Sequence, residues 1–130
     1  MKIAIIGNRD LTDHDWISDT LTKHIKVTLN TSLLDIVVLL GGAMGVQVAT
    51  QKWCTDNLID YIVIPPAHMI DKALVRHFSP RMFFMRNKHI IDQADRVLFI
   101  KTDVDDGEVV RAMEYAEKVK PDLMDVIMYN

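Results

Sequence analysis

The segment Gly41-Gly42-Ala43-Met44-Gly45-Val46 places three of the chain's five glycines within five residues. It follows an aliphatic run and opens an amphipathic stretch. Glycine lets the backbone approach a phosphate closely, and the free N–H groups of a helix's first turn point at an anion. The pattern is neither the G-x-G-x-x-G fingerprint nor a Walker sequence. The competing reading is a tight strand-to-helix turn that needs glycine for its conformation alone.

Three further groups carry chemistry. Gly7-Asn8-Arg9 closes the first apolar run. Asn8 offers a donor and an acceptor, and Arg9 a fork for phosphate or carboxylate. Arg9 equally suits a surface pair with Asp10 or Asp13. Arg86-Asn87 stands near Arg76, His77, Arg81, Lys88 and His89, the one basic concentration in an acidic chain. It reads as an anion site or as a solvated helix face. Asp103, Asp105, Asp106 and Glu108 gather after the fourth apolar run. Such carboxylates serve as general base or nucleophile on a sugar, or hold Mg²⁺. Asp105 with Glu108 equally makes a helix start.

Other residue types exclude chemistry. The histidines at 14, 24, 68, 77 and 89 show no metal-ligand spacing. With one cysteine, a structural zinc site has too few ligands. No metal ion and no cofactor are expected. Trp53 and Cys54 fall on an apolar helical face and read as core. Met82-Phe83-Phe84-Met85 reads first as core, second as a dimer surface or the wall of a base pocket.

These residues need strands and helices to position them. Lys2–Ile6, Ile36–Leu40, Tyr61–Ile64, Arg96–Ile100 and Asp125–Tyr129 are continuous apolar runs, as strands covered on both faces are. Ile17, Leu21, Ile25 and Leu29 recur every four residues, with Thr12 as the expected N-cap. Val46, Ala49, Thr50, Trp53 and Cys54 mark a second helix. A third spans Met82 to Gln93. A fourth carries Val109, Met113 and Ala116, and Pro121 stops it. The order predicts an α/β Rossmann-like doubly wound sheet of about five mostly parallel strands, with helices on both faces. Pro65 to Arg81 is the one long irregular connection, with a short helix expected near Met69–Arg76. Ligands of such sheets bind beyond the carboxyl ends of the strands.

The 130 residues fit one domain, 1–130, and 49% hydrophobic residues supply one core. A net charge of −3 offers no long-range attraction to nucleic acid or to anionic membrane. The apolar opening is too short for a signal peptide, and no run approaches membrane-spanning length. One unpaired cysteine fits a reducing, cytoplasmic setting without processing.

The turns together resemble the SLOG superfamily, named for the Smf/DprA and Lonely Guy proteins, and especially its small YspA-like branch. Lys2-Ile3-Ala4-Ile5-Ile6-Gly7-Asn8-Arg9-Asp10 resembles that family's opening strand and G-S-R turn. Gly41 to Gln47, with Ala49 and Trp53 downstream, resembles its G-G-A-R-G-A-D helix start. Arg86-Asn87-Lys88-His89-Ile90-Ile91, leading into Ala94 to Phe99, resembles its R-N-x-x-M helix and fourth strand. The resemblance implies a pocket for a nucleotide or nucleotide-derived molecule, bordered by Gly7, Asn8 and Arg9, by Gly41 to Val46, by Arg86 and Asn87, and by Asp103. It also implies a homodimer. Met44 stands where the family has its Arg, and Gln47 where it has an Asp. A phosphate cation and a ribose acceptor are thereby absent. The hydrolase branch's P-G-G-x-G-T-x-x-E segment is replaced by Thr102 to Glu108, so Glu108 matches the family's glutamate only loosely. Binding, as sensing or sequestering, is the first expectation. An N-glycosidase, phosphoribohydrolase or deoxyribosyltransferase using Glu108 is the second. A phage or bacterial protein-interaction factor is the third.

Overall fold

The computed structural model describes residues 1–42, 44–65 and 80–129. Strands β1 (Lys2–Gly7), β2 (Val37–Leu40), β3 (Asp60–Val63), β4 (Arg96–Lys101) and β5 (Met124–Met128) alternate with helices α1 (His14–Lys23), α2 (Val46–Asp56), α3 (Pro80–Gln93) and α4 (Gly107–Val119). The strands form one sheet in the order β3-β2-β1-β4-β5, and every pairing is parallel. The expected fold class is therefore the one observed.

Alternation along each strand sends side chains to opposite faces. Ile3, Ile5, Val38, Leu40, Leu98 and Ile100 meet Ile17, Leu21 and Ile25 of α1 and Val46, Ala49, Trp53 and Cys54 of α2. Ala4, Ile6, Leu39, Val97 and Phe99 meet Ile90 and Ile91 of α3 and Val109, Ala112 and Ala116 of α4. Fully burying one such aliphatic side chain stabilises by about 1.5–3 kcal/mol. Trp53 adds a bond from Nε1 to Thr22 Oγ1 at 3.0 Å, which ties α2 to α1.

Several local expectations are corrected. Asp13, not Thr12, caps α1, and its carboxylate accepts from the Trp16 amide at 3.1 Å. The amphipathic stretch does not stay α-helical, because His24–Thr28 widens into a π-helical turn. Asp106 rather than Asp105 caps α4, accepting from the Glu108 amide at 3.0 Å. None of Met82, Phe83, Phe84 and Met85 joins either buried cluster, and Met85 is exposed. The expected short helix at Met69–Arg76 lies outside the described residues, as do Arg76 and His77. Among the described residues, no helix is long and apolar enough to cross a membrane.

Candidate functional site

The chain leaves β1 for β2 on one side of the sheet and returns through β4 on the other. The carboxyl ends of β1 and β4 therefore flank the switch point, where open α/β sheets hold their ligands. Asn8 fills this crevice. It is 1% exposed. Its amide nitrogen donates to Thr102 Oγ1 at 2.9 Å and to the Val104 carbonyl at 2.8 Å. Its Oδ1 is buried without a hydrogen-bond partner among the described residues. Beside it, Asn8, Arg9, Asp10, Val104, Asp105 and Asp106 enclose a depression of about 260 Å³.

The glycine turn packs against this first turn. Gly45 has φ +69°, and a β-carbon there would lie 2.4 Å from the Arg9 carbonyl oxygen. The Val46 amide donates to the Asn8 carbonyl at 3.2 Å. The Gly41 amide donates to Gln47 Oε1 at 2.8 Å, and Gln47 Nε2 donates to the Ile5 carbonyl at 2.6 Å. Two of the turn's amides are thus engaged inside the protein, which corrects the expectation that the amides up to Val46 face a ligand. Those of Gly42, Met44 and Gly45 donate to no described group. Met44 is exposed, and Ala43 lies outside the described residues.

Arg86 of α3 reaches this turn from the opposite face. It is 6% exposed, and its Nη1 donates to the Gly41 carbonyl. Its Nε donates to Asn87 Oδ1 at 2.9 Å, and its guanidinium lies 5.4 Å from the Phe83 ring centroid. No carboxylate is within ion-pair distance of Arg86 among the described residues. Burial lowers its pKa, and the charge of Glu108 opposes that shift. Glu108 is half-buried on the first turn of α4. Burial raises its carboxyl above the usual glutamate range, while Arg86, Arg9 and Arg111 pull it down and Asp106 pushes it up. Arg9 is exposed, and its amide donates to Asp106 Oδ2 at 3.2 Å.

The structure therefore brings Gly41, Arg86 and Asn87 together, and joins Gly7, Asn8 and Arg9 to Gly45 and Val46. Glu108 stands within electrostatic reach of both Arg9 and Arg86. Asp103 lines the adjoining depression, with Asp10, Thr102, Val104, Met128 and Tyr129. Gln47 and Thr102 were not singled out as parts of the site. Gln47 sits six residues after Gly41 on the helix's first turn, and that spacing was the available signal. Among the described residues, no group of His, Cys, Asp or Glu is arranged to hold a metal ion. Cys54 is buried, and its thiol is pushed up to about 12, which leaves no reactive thiolate.

No family model matches the chain, and no curated protein matches it in sequence. Two solved structures share its fold, each with a TM-score of 0.57. The X-ray structure of TM1055, a structural-genomics target, is 14% identical and covers 91% of this chain and 69% of its own. The X-ray structure of DNA processing protein A (DprA) from Streptococcus pneumoniae is 13% identical and covers 97% of this chain. The chain spans 58% of that protein's length. The chain is thus an α/β protein of Rossmann-like fold. DprA is one of the proteins that name the superfamily its motifs resemble.

Proposed function

We propose that this chain is a SLOG-type protein that binds a nucleotide or nucleotide-derived small molecule at the carboxyl ends of β1, β2 and β4, as a sensor or sequestering protein. The observation that carries the reading is Arg86. A guanidinium that is 6% exposed, held by a backbone carbonyl and an amide oxygen, has no directly paired carboxylate among the described residues. Such a charge is an anion receptor in waiting, since a buried cation gains from a paired counter-charge. The unengaged amides of Gly42, Met44 and Gly45 and the side chain of Arg9 complete the anion's surroundings. Placement in the YspA-like branch rests on the order of the three motifs.

The test is a thermal-shift panel of nucleotides, cyclic dinucleotides and ADP-ribose derivatives. Ligand at 100 times its Kd should stabilise by about 2.7 kcal/mol. The gain should disappear in Arg86→Gln. A folded protein that responds to none of the panel refutes the proposal.

A second reading has its own observation. Burial raises the Glu108 carboxyl pKa, as suits a general acid at a glycosidic bond, and Arg86, Arg9 and Arg111 act on it electrostatically. N-glycosidase or transferase activity would release free base from nucleoside monophosphates and be lost in Glu108→Gln. We also carry the homodimer as part of the proposal. β5 is an edge strand, and its Val126 and Met128 are exposed. Sedimentation at several concentrations checks it.

A further inference from the structure

A second polar cavity lies away from the cleft, between α1 with its π-helical turn and the edge strand β5. Thr20, Lys23, His24, Thr28 and Ile127 enclose about 300 Å³. The turn is closed by a bond from the Leu29 amide to the His24 carbonyl at 2.9 Å. Thr20 and Thr28 stand four residues before and after His24, and all three line the same cavity.

Every polar side chain lining the cavity is a hydroxyl, an imidazole or an ammonium group, and no carboxylate lines it. Two helical threonines elsewhere in the chain turn their hydroxyls back onto their own helix. Thr50 bonds to the Val46 carbonyl at 2.7 Å and Thr55 to the Gln51 carbonyl at 3.0 Å. Thr20 and Thr28 bond to no described group, so both hydroxyls remain available as donors. His24 is 6% exposed, and its Nε2 lies 3.3 Å from Asp125 Oδ2. Arg96 Nη2 lies 3.3 Å from the same oxygen. Among the described residues lining the cavity Lys23 is the one formally charged side chain, and behind His24 the Asp125 carboxylate is paired with Arg96.

We propose that this cavity is a second ligand site, taking a small oxyanion with the chemistry of inorganic phosphate or a phosphate monoester. Lys23 supplies the charge, Thr20 and Thr28 donate from their hydroxyls, and His24 donates when protonated. Asp125 orients the imidazole through Nε2, and Arg96 balances Asp125. Burial and Arg96 lower the His24 pKa, while Asp125 raises it. A bound anion adds a second upward pull, so anion and proton bind His24's surroundings cooperatively.

Proton NMR of the His24 ring tests this in the intact protein. The pH titration is run with inorganic phosphate, with ribose 5-phosphate, and with sodium chloride at matched ionic strength. The expected result is a saturable rise of the His24 pKa by about one unit with at least one phosphate probe and not with chloride. The rise should be lost in Lys23→Met and in Thr20→Val, whose folding is checked by thermal melts. A response to inorganic phosphate alone assigns the free ion, and one to the sugar phosphate alone assigns a phosphorylated metabolite. No rise with either probe overturns the site. A rise that survives both substitutions, or that chloride reproduces, also overturns it.

Discussion

The guanidinium of Arg86 lies directly over the α-carbon of Gly41: a β-carbon at Gly41 would stand 2.5 Å from Arg86 Cζ and 2.6 Å from Nη1. The glycine and the arginine are therefore one unit, although 45 residues separate them. Gly41→Ala should displace Arg86 and destabilise the protein by about 1–3 kcal/mol through overpacking. In an Arg86→Ala background the same change should be nearly neutral. A double-mutant cycle in urea measures the difference, and an interaction energy near zero would show that the two residues are independent.

Gln47 spans two backbone groups at the heart of the cleft, the Gly41 amide and the Ile5 carbonyl. Gln47→Leu keeps the size of the side chain but leaves both groups buried and unpaired. A loss of about 1–3 kcal/mol is expected for each such group. Gln47→Glu retains the acceptor and should recover the Gly41 bond but not the Ile5 bond. Equilibrium unfolding of the two variants should rank glutamate above leucine.

Glu108 makes stability depend on pH in a defined direction. Its folded-state carboxyl titrates above its unfolded value, because burial outweighs the nearby arginines. The stabilisation linked to its proton is complete below the unfolded value and is lost as pH rises through the folded one. Glu108→Gln mimics the protonated form. It should raise the urea midpoint at neutral pH, and the gain should vanish below about pH 4. A variant less stable than the parent at pH 7 would mean that attraction to Arg86 outweighs desolvation.

Lys120 closes the end of the helix that carries Arg86. Its ammonium donates to the carbonyls of Ile91 and Asp92 in the last turn of α3 and of Ala94 just after it. Cations are favoured at a helix carboxyl end. Lys120→Met should cost about 1–2 kcal/mol. Amide exchange at Ala94, which bonds back to Ile90, should speed up more than exchange in β1.

Much of the fold was legible because parallel strands and their covering helices differ in pattern. The continuous runs at residues 2–6, 36–40 and 96–100 became β1, β2 and β4 with shifts of one residue. The boundaries moved where two capping residues competed. Thr12 and Asp13 are adjacent, as are Asp105 and Asp106, and only the backbone angles choose between them. The Met82–Phe84 group is apolar in composition, yet it joins neither buried cluster, and its Phe83 ring lies against the Arg86 guanidinium.

By itself, the sequence determined the apolar faces of most strands and helices, the order of the elements and the three turns at the carboxyl ends. Local periodicity carries that information, because each face must be covered. Only the tertiary structure decided what the turns do. It showed that Gly41 is small to admit Arg86, that Gln47 holds the turn from within, and that Val46's amide is already bonded. It also gathered Thr20, Lys23, His24 and Thr28 around one cavity. Such contacts join residues tens of positions apart, and no local pattern encodes a distance across a sheet.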